Sequence, residues 1–326
     1  MSVVKKTVIA AICAGVLSTS CSPLVSGAEP VAARRKRPAL TAGLSICYSP
    51  YTNGLSPALN SPLTLEHLRG QLDLAAPYVD TIRLFGVTGE LQKIYKPAKE
   101  EYKLRVIAGC WLDASFNEVQ IYAELDALAH MANDGLADVA AVGSENIYRG
   151  DNTADEMAGY INYVRSKITD RSIPVGTSDT AWAFTENPRL VEACDVILCT
   201  IYPYFSGVAV EDAARSLAET YAAVSAAAKG RQVIISETGW PTQGSPEGPA
   251  IPSMSNAKLY FEDVYAWSRQ EDVEVVFFSQ IDEAWKLEGV NADIGGHWGH
   301  FTADGTLKEA YRAVYSRISE TAETNG

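Results

Sequence analysis

From Ala42 onward the chain repeats one pattern eight times: a short β-rich apolar run followed by a longer amphipathic stretch. The runs are Ala42–Ser49, Thr81–Gly86, Leu104–Leu112, Ala137–Glu145, Ile173–Asp179, Cys194–Pro203, Gln232–Trp240 and Val273–Trp285. Strands that alternate with helix-length segments need crossover connections, so they belong to a parallel sheet. Eight such units predict an α/β fold, a single (β/α)8 TIM barrel, which at roughly 250 residues commonly forms one domain. An open doubly wound sheet is the competing arrangement, but no strand run opens into a Gly-rich phosphate loop, and "GVTGELQK" lacks the spacing. Between the strands, Val119, Tyr122, Leu125 and Leu128 form a stripe expected to pack on the sheet. The Ala-rich segment that follows the sixth strand stops at Gly230 after Lys229.

The N-terminus has a different character. Lys5 and Lys6 precede an apolar run from Thr7 to Leu17, too short to span a membrane, which reads as an export signal occupying residues 1–28. Ser26-Gly27-Ala28 offers the small residues of a signal-peptidase site. Leu17 to Cys21 resembles a bacterial lipoprotein box, with its leucine four rather than three residues before the cysteine. Both processing routes stay open, and with them a periplasmic, cell-envelope or secreted location. Residues 29–39 are a basic, Pro- and Ala-rich linker, 40–320 the expected barrel and 321–326 a tail.

The net charge is −13, and removal of residues 1–28 takes away Lys5 and Lys6 and no acidic residue, leaving −15. An acidic surface disfavours polyanions, so nucleic acid is not an expected partner, and a membrane enters only through a lipid anchor. Outside the signal, Cys47, Cys110, Cys194 and Cys199 remain. Cys47, Cys110 and Cys199 sit inside strand runs, where a thiol is commonly a small buried hydrophobe, although export also permits disulfides.

In a barrel of this kind chemistry belongs at the C-terminal ends of the strands. The fourth run closes with Gly143-Ser144-Glu145, the fifth with Ser178-Asp179, the seventh with Ser236-Glu237 and the eighth with Asp282-Glu283. An apolar strand that ends in an ionisable group sets it in a partly desolvated mouth, where its acidity is tunable. Aromatics close most of the same strands: Tyr48, Phe85, Trp111, Tyr202, Trp240 and Trp285. Aromatic faces suit sugar rings and carboxylates suit their hydroxyls, which points to a carbohydrate cleft. Glycosidic cleavage needs two carboxyl groups.

"AVGSENIYRG" and "VIISETGWPTQG" place Glu145 and Glu237 92 residues apart on the fourth and seventh runs. Together with "RLFG", "IYPYF", "DEAWK" and "HWGHF", from about Leu40 to Tyr315, they resemble glycoside hydrolase family 17, the β-1,3-glucanases and related glucan transferases. The "VGSE" and "YR" pair resembles the fungal-type branch. The resemblance implies a (β/α)8 barrel acting on a β-glucan polysaccharide or oligosaccharide, with Glu145 as general acid/base and Glu237 as nucleophile. Double displacement would then need the carboxyls about 5–5.5 Å apart. Tyr202 would position the nucleophile, Glu283 and Lys286 would bind a sugar hydroxyl or adjust nearby charge, and Tyr48, Phe85, Trp111 and Trp240 would form subsite walls. Most members have Asn where this chain has Ser144, so its contact to a sugar 2-hydroxyl would be shorter or water-mediated.

Other chemistries find less support. His297 and His300 stand three apart in "HWGH" without a partner in ligand spacing, and His67 and His130 are expected at helix surfaces, so neither metal nor cofactor is expected. No Gly-x-Ser-x-Gly elbow occurs. A monomeric retaining β-1,3-glucanase is the leading expectation. A transglycosylase using the same residues, or a noncatalytic glucan-binding envelope protein, are the alternatives.

Overall fold

The computed structural model describes residues 43–52, 54–288 and 292–325. The expected export signal, the linker and Cys21 lie outside these residues. The eight runs become eight parallel strands: β1 Leu44–Cys47, β2 Val79–Leu84, β3 Arg105–Cys110, β4 Val139–Ser144, β5 Val175–Thr180, β6 Val196–Thr200, β7 Gln232–Thr238 and β8 Val275–Phe277. Each pairs with its sequence neighbour, and β8 pairs with β1, closing the barrel. The expected TIM barrel is the fold found.

Helices α1 Leu65–Ala75, α2 Glu118–Asn133, α3 Ala154–Lys167, α4 Val210–Ala227 and α5 Met254–Gln270 cover the outside, with α6 Arg312–Asn325 at the end. Local sequence sets their starts. Asn117 and Gln120 form a reciprocal capping box before α2, and Thr153 and Glu156 form another before α3. Capping at Asn117 leaves Val119 in the first turn, 79 % exposed, so it drops out of the expected stripe. The buried face of α2 is instead Leu125, Leu128, Ala129 and Ala132. Each buried leucine there contributes about 1.5–3 kcal/mol. Between β2 and β3 the crossover is two short helical segments, Gly89–Ile94 and Pro97–Glu101, rather than one long helix.

Two apolar layers result from the period of two. On β7, Val233 and Ile235 face the outer layer under the helices, whereas Ile234 faces the barrel interior with Ile107, Val139, Val196, Leu198 and Val276. Cys47, Cys110, Cys194 and Cys199 are all buried free thiols. The eighth run is a strand only over three residues. Beyond Phe277 its backbone is claimed by other partners: Ser279 N donates to Trp298 O at 3.0 Å and Gln280 N to Cys47 O at 2.9 Å. The expected tail continues α6, whose range runs to Asn325.

Candidate active site

The two carboxylates lie at the C-terminal end of the barrel, and a one-residue irregularity precedes each of them. Along β6 and β7, Cys199 pairs with Ile235 but Thr200 pairs with Glu237, so β7 carries one extra residue, Ser236. Strict alternation from Ile234 would turn Glu237 toward the helices. The bulge turns it inward instead, while Ser236 stays buried inside, its hydroxyl 2.9 Å from that of Ser178. Ser236 is therefore an interior residue, not one at the rim. On β4 the same device recurs: Ala141 pairs with Gly176 and Ser144 with Ser178, three steps against two.

Gly143 takes the left-handed region at φ 70°, and a Cβ there would lie 2.3 Å from Asn146 Oδ1. That oxygen accepts from Ser144 N at 3.0 Å, while Asn146 Nδ2 donates to Leu112 O at 3.1 Å and to Asn152 Oδ1 at 2.9 Å. Glu145 itself sits at φ 55°, ψ 29°, its N–H donating to Ser178 O at 2.7 Å. A non-glycine residue in this conformation is uncommon and marks a constrained position. Asp179 supports the turn from below, accepting from Ile147 N at 2.8 Å and Thr180 N at 2.8 Å.

The surroundings of the carboxylates differ. Buried Glu237 receives Arg83 Nη1 on Oε1 and the Tyr202 hydroxyl on Oε2, the latter at 3.1 Å. Arg83 is 1 % exposed, and its fork also reaches Ser236 O at 3.3 Å and Ser144 Oγ at 3.1 Å. Burial opposes its charge, but Glu237 and Cys47 outweigh burial and hold the guanidinium above its ordinary value. Burial, reinforced by Glu237, raises Tyr202 well above the usual phenol range, so its hydroxyl remains a donor. Among the described residues no cation pairs with the Glu145 carboxyl, and the charge of Arg83 acts on it only as a lesser influence. Its Oε1 accepts from Thr200 Oγ1 at 2.8 Å, and burial, followed by the charge of Glu237, pushes it up to about 7.

Buried Glu283 accepts from Ser49 Oγ, from Lys286 Nζ and from Trp285 Nε1 at 2.9 Å. Lys286 also lies 4.4 Å from the Phe278 ring centre. Asp282 is tied to Lys308 at 2.7 Å and Gly299 N at 2.8 Å, which makes it a structural ion-pair member. His300 is buried, with Nδ1 2.8 Å from the Tyr315 hydroxyl and its ring stacked on Tyr311. His67 is half-buried rather than at the surface, its Nε2 2.6 Å from Pro50 O, whereas His130 is exposed. Among the described residues no group of three or more His, Cys, Asp or Glu could hold a metal.

A cleft of ≈ 710 Å³ opens over this floor, lined among others by Glu145, Glu237, Tyr202 and Lys286. Three aromatics on its walls stand out into solvent: Tyr148 at 66 %, Trp182 at 56 % and Phe205 at 45 % exposure. They sit in the loops after β4, β5 and β6, and strand-end reading missed them because each lies beyond the residue that closes its strand. Arg83 was missed for the opposite reason. It is inside an apolar strand, where a lone cation was itself the available signal.

The expected subsite residues do not all line the cleft. Tyr48 is buried, with its hydroxyl donating to Leu68 O at 3.1 Å, because it continues the alternation of Leu44 and Ile46 into the outer layer under α1. Trp240 is buried behind the cleft against Tyr204 and Tyr260, its Nε1 donating to Ile251 O at 3.0 Å. Neither is a cleft wall. Ser144 is buried and its hydroxyl is committed to Arg83, with Glu237 Oε1 at 3.5 Å, rather than turned to the cleft. Trp111 remains partly exposed, but the Arg149 guanidinium covers one face at 4.5 Å. Phe85 lies against Arg83, 4.3 Å from guanidinium carbon to ring centre.

A closed parallel eight-stranded barrel with two carboxylates of unlike environment in an aromatic cleft has the construction of a glycoside hydrolase. The chain belongs to glycoside hydrolase family 17, and the BtgE/BtgC glycoside hydrolase domain matches it over residues 45–299. It is 28 % identical over 266 residues to a glucan 1,3-beta-glucosidase of Saccharomyces cerevisiae, spanning 76 % of this chain and 85 % of that protein. A glucan 1,3-beta-glucosidase of Schizosaccharomyces pombe is 26 % identical over 307 residues, spanning 90 % and 93 %. Among solved structures, the family 17 beta-1,3-glucanosyltransferase from Rhizomucor miehei superposes with a TM-score of 0.72 at 27 % identity, over 82 % of this chain and 96 % of that one. Its active-site mutant in complex with laminaritriose superposes with a TM-score of 0.73 at 26 % identity, over the same shares.

Proposed function

We propose that this protein is an exported enzyme that cleaves β-1,3-glucan with retention, Glu237 attacking the anomeric carbon and Glu145 serving as acid and then base. The observation that carries the reading is the split between the carboxylates. Glu237 is bound by a guanidinium and a phenol, as an attacking anion requires. Glu145, raised to about 7 by burial and by the charge of Glu237, can hold a proton near neutrality. Two carboxyl groups held in surroundings as unlike as these suit distinct acid and nucleophile roles.

Glu145 protonates the leaving oxygen as Glu237 forms the glycosyl-enzyme. It then takes a proton from the acceptor that frees the sugar from Glu237. The exposed rings of Tyr148, Trp182 and Phe205 offer platforms to successive sugars, and the names of the relatives support a β-1,3-linked chain. Water or a sugar hydroxyl can be the acceptor, so hydrolysis and transglycosylation share this machinery.

Product analysis on laminari-oligosaccharides tests the reading and separates the acceptors. Glucan turnover with first products of β configuration is expected, and chains longer than the starting sugar would identify transfer. Unchanged turnover in Glu237→Gln would overturn the nucleophile assignment. Glucan binding without turnover by the native chain would favour a noncatalytic envelope protein.

A further inference from the structure

Glu145 depends on a neighbour that the two-carboxylate scheme leaves without a role. Thr200 ends β6, in register with Glu237 on β7, and it is buried while lining the cleft. Its Oγ1 donates to Glu145 Oε1 at 2.8 Å. Among the described residues this is the one side-chain hydrogen bond recorded for the Glu145 carboxyl, whereas Glu237 has Arg83, Tyr202 and Ser144.

We propose that Thr200 is a positioning residue that occupies Oε1 of Glu145 and so assigns the transferable proton to Oε2. The argument is one of hydrogen-bond accounting. A hydroxyl has one proton to donate, and a buried donor left unmatched is costly. If Oε1 carried the acid proton and donated to Thr200, the threonine proton would need another acceptor, and among the described residues none is recorded for it. With the threonine proton on Oε1, both groups are satisfied whether Glu145 is neutral or ionised.

The two steps then use one oxygen. In the first, the glycosidic C–O bond breaks as Glu237 forms a bond to the anomeric carbon, and the Oε2 proton goes to the leaving oxygen. In the second, Oε2 takes a proton from water or a sugar hydroxyl, whose oxygen bonds to the anomeric carbon as the bond to Glu237 breaks. The carboxylate of Glu237 and the proton on Glu145 are both restored. The Thr200 bond is strongest to the ionised form, since it is then charge-assisted, so it supports the base required in the second step.

The proposal rests on Glu145 being the acid/base, and the experiment keeps the two apart. kcat/KM and kcat are measured against pH for wild type, Thr200→Val, Thr200→Ser and Glu145→Ala, using laminari-oligosaccharides and an aryl β-laminari-oligoside with a good leaving group. Thr200→Val should move the alkaline limb of kcat/KM upward by roughly one pH unit and slow turnover of the aryl glycosyl-enzyme about tenfold, lowering kcat and KM together. Thr200→Ser should restore the wild-type limb. An unmoved limb in folded Thr200→Val, or a limb moved equally in Thr200→Ser, overturns the proposal. Thr200→Ala takes the place of the valine variant if that variant does not fold. A Glu145→Ala enzyme with the wild-type rate and limb would instead overturn the acid/base assignment itself.

Discussion

Arg83 on β2 and Glu237 on β7 form an ion pair across the interior of the barrel, with β1 and β8 between them on the wall. Both groups are buried, and the guanidinium lies at the level where the apolar interior gives way to polar side chains. Removing charges from water costs several kcal/mol per ion, which is offset here only because the fork also meets Ser236 O and Ser144 Oγ. The pair ties the orientation of one carboxylate to the closure of the whole barrel.

Replacing Arg83 should therefore damage stability and catalysis separately. Arg83→Met leaves the Glu237 charge buried and unpaired and is expected to cost about 3–5 kcal/mol. Arg83→Met combined with Glu237→Gln should recover more than half of that loss in denaturant unfolding. Arg83→Lys keeps the charge but not the fork, and should lower kcat about 10²-fold while the protein stays folded. Equal losses in the single and double variants would mean that the pair does not couple.

Glu145 gives the pH dependence. Its ordinary value of 4.5 is raised to about 7 by burial and then by Glu237, so between those values the folded chain holds a proton that the unfolded chain has released. Its contribution is fully present below 4.5 and is lost as pH rises to about 7, an effect of ~3 kcal/mol. Glu145→Gln should flatten that part of the stability profile and exceed wild type above pH 7 in urea unfolding. Wild-type kcat/KM should fall along an alkaline limb near the same pH, since the first step needs the protonated acid. A stability slope that survives in Glu145→Gln would assign the proton to another group.

Much of the architecture was legible because apolar periodicity and barrel closure obey the same rule. All eight strands lie where the β-rich runs predicted, with Glu145 directly after the fourth and Glu237 on the seventh. What periodicity could not reveal is the break in periodicity: the extra residue at Ser236, and the one before Ser144, reverse which side of the wall the next residue faces. The aromatics failed for a related reason. Tyr48 and Trp240 close their strands, yet burial is decided by the side of the wall they face: Tyr48 continues the outward alternation of Leu44 and Ile46, and Trp240 packs behind the cleft against Tyr204 and Tyr260.

Ser144 offers a test of that correction. Its hydroxyl accepts from Arg83 Nη2 at 3.1 Å and lies 3.5 Å from Glu237 Oε1, so its effect should pass through Glu237, the proposed nucleophile. Ser144→Ala leaves a guanidinium proton unmatched and should lower kcat roughly tenfold with KM little changed, as a loss of about 1–2 kcal/mol. Tyr202→Phe should act in the same direction, because it removes the donor to Glu237 Oε2. A raised KM with unchanged kcat in Ser144→Ala would restore a direct contact with sugar.

Two tryptophans that look alike in the sequence should behave in opposite ways. Trp182 lines the cleft with more than half of its surface open, in the short helix Ala181–Thr185 after β5, whereas Trp240 is packed between Tyr204 and Tyr260. Trp182→Ala removes apolar surface that only a bound chain would cover, so folding should be nearly unaffected. Its KM for longer laminari-oligosaccharides should rise several-fold to tenfold, from roughly 1–2 kcal/mol of lost ring contact, with less effect on the shortest substrate. Trp240→Ala opens a cavity and removes one of the two donors to Ile251 O, the other being Asn256 Nδ2, and is expected to cost about 3–5 kcal/mol of stability. Chain-length series of kcat and KM together with thermal unfolding of both variants distinguish wall from core. A Trp182→Ala enzyme whose KM is the same at every chain length would remove this ring from the substrate path.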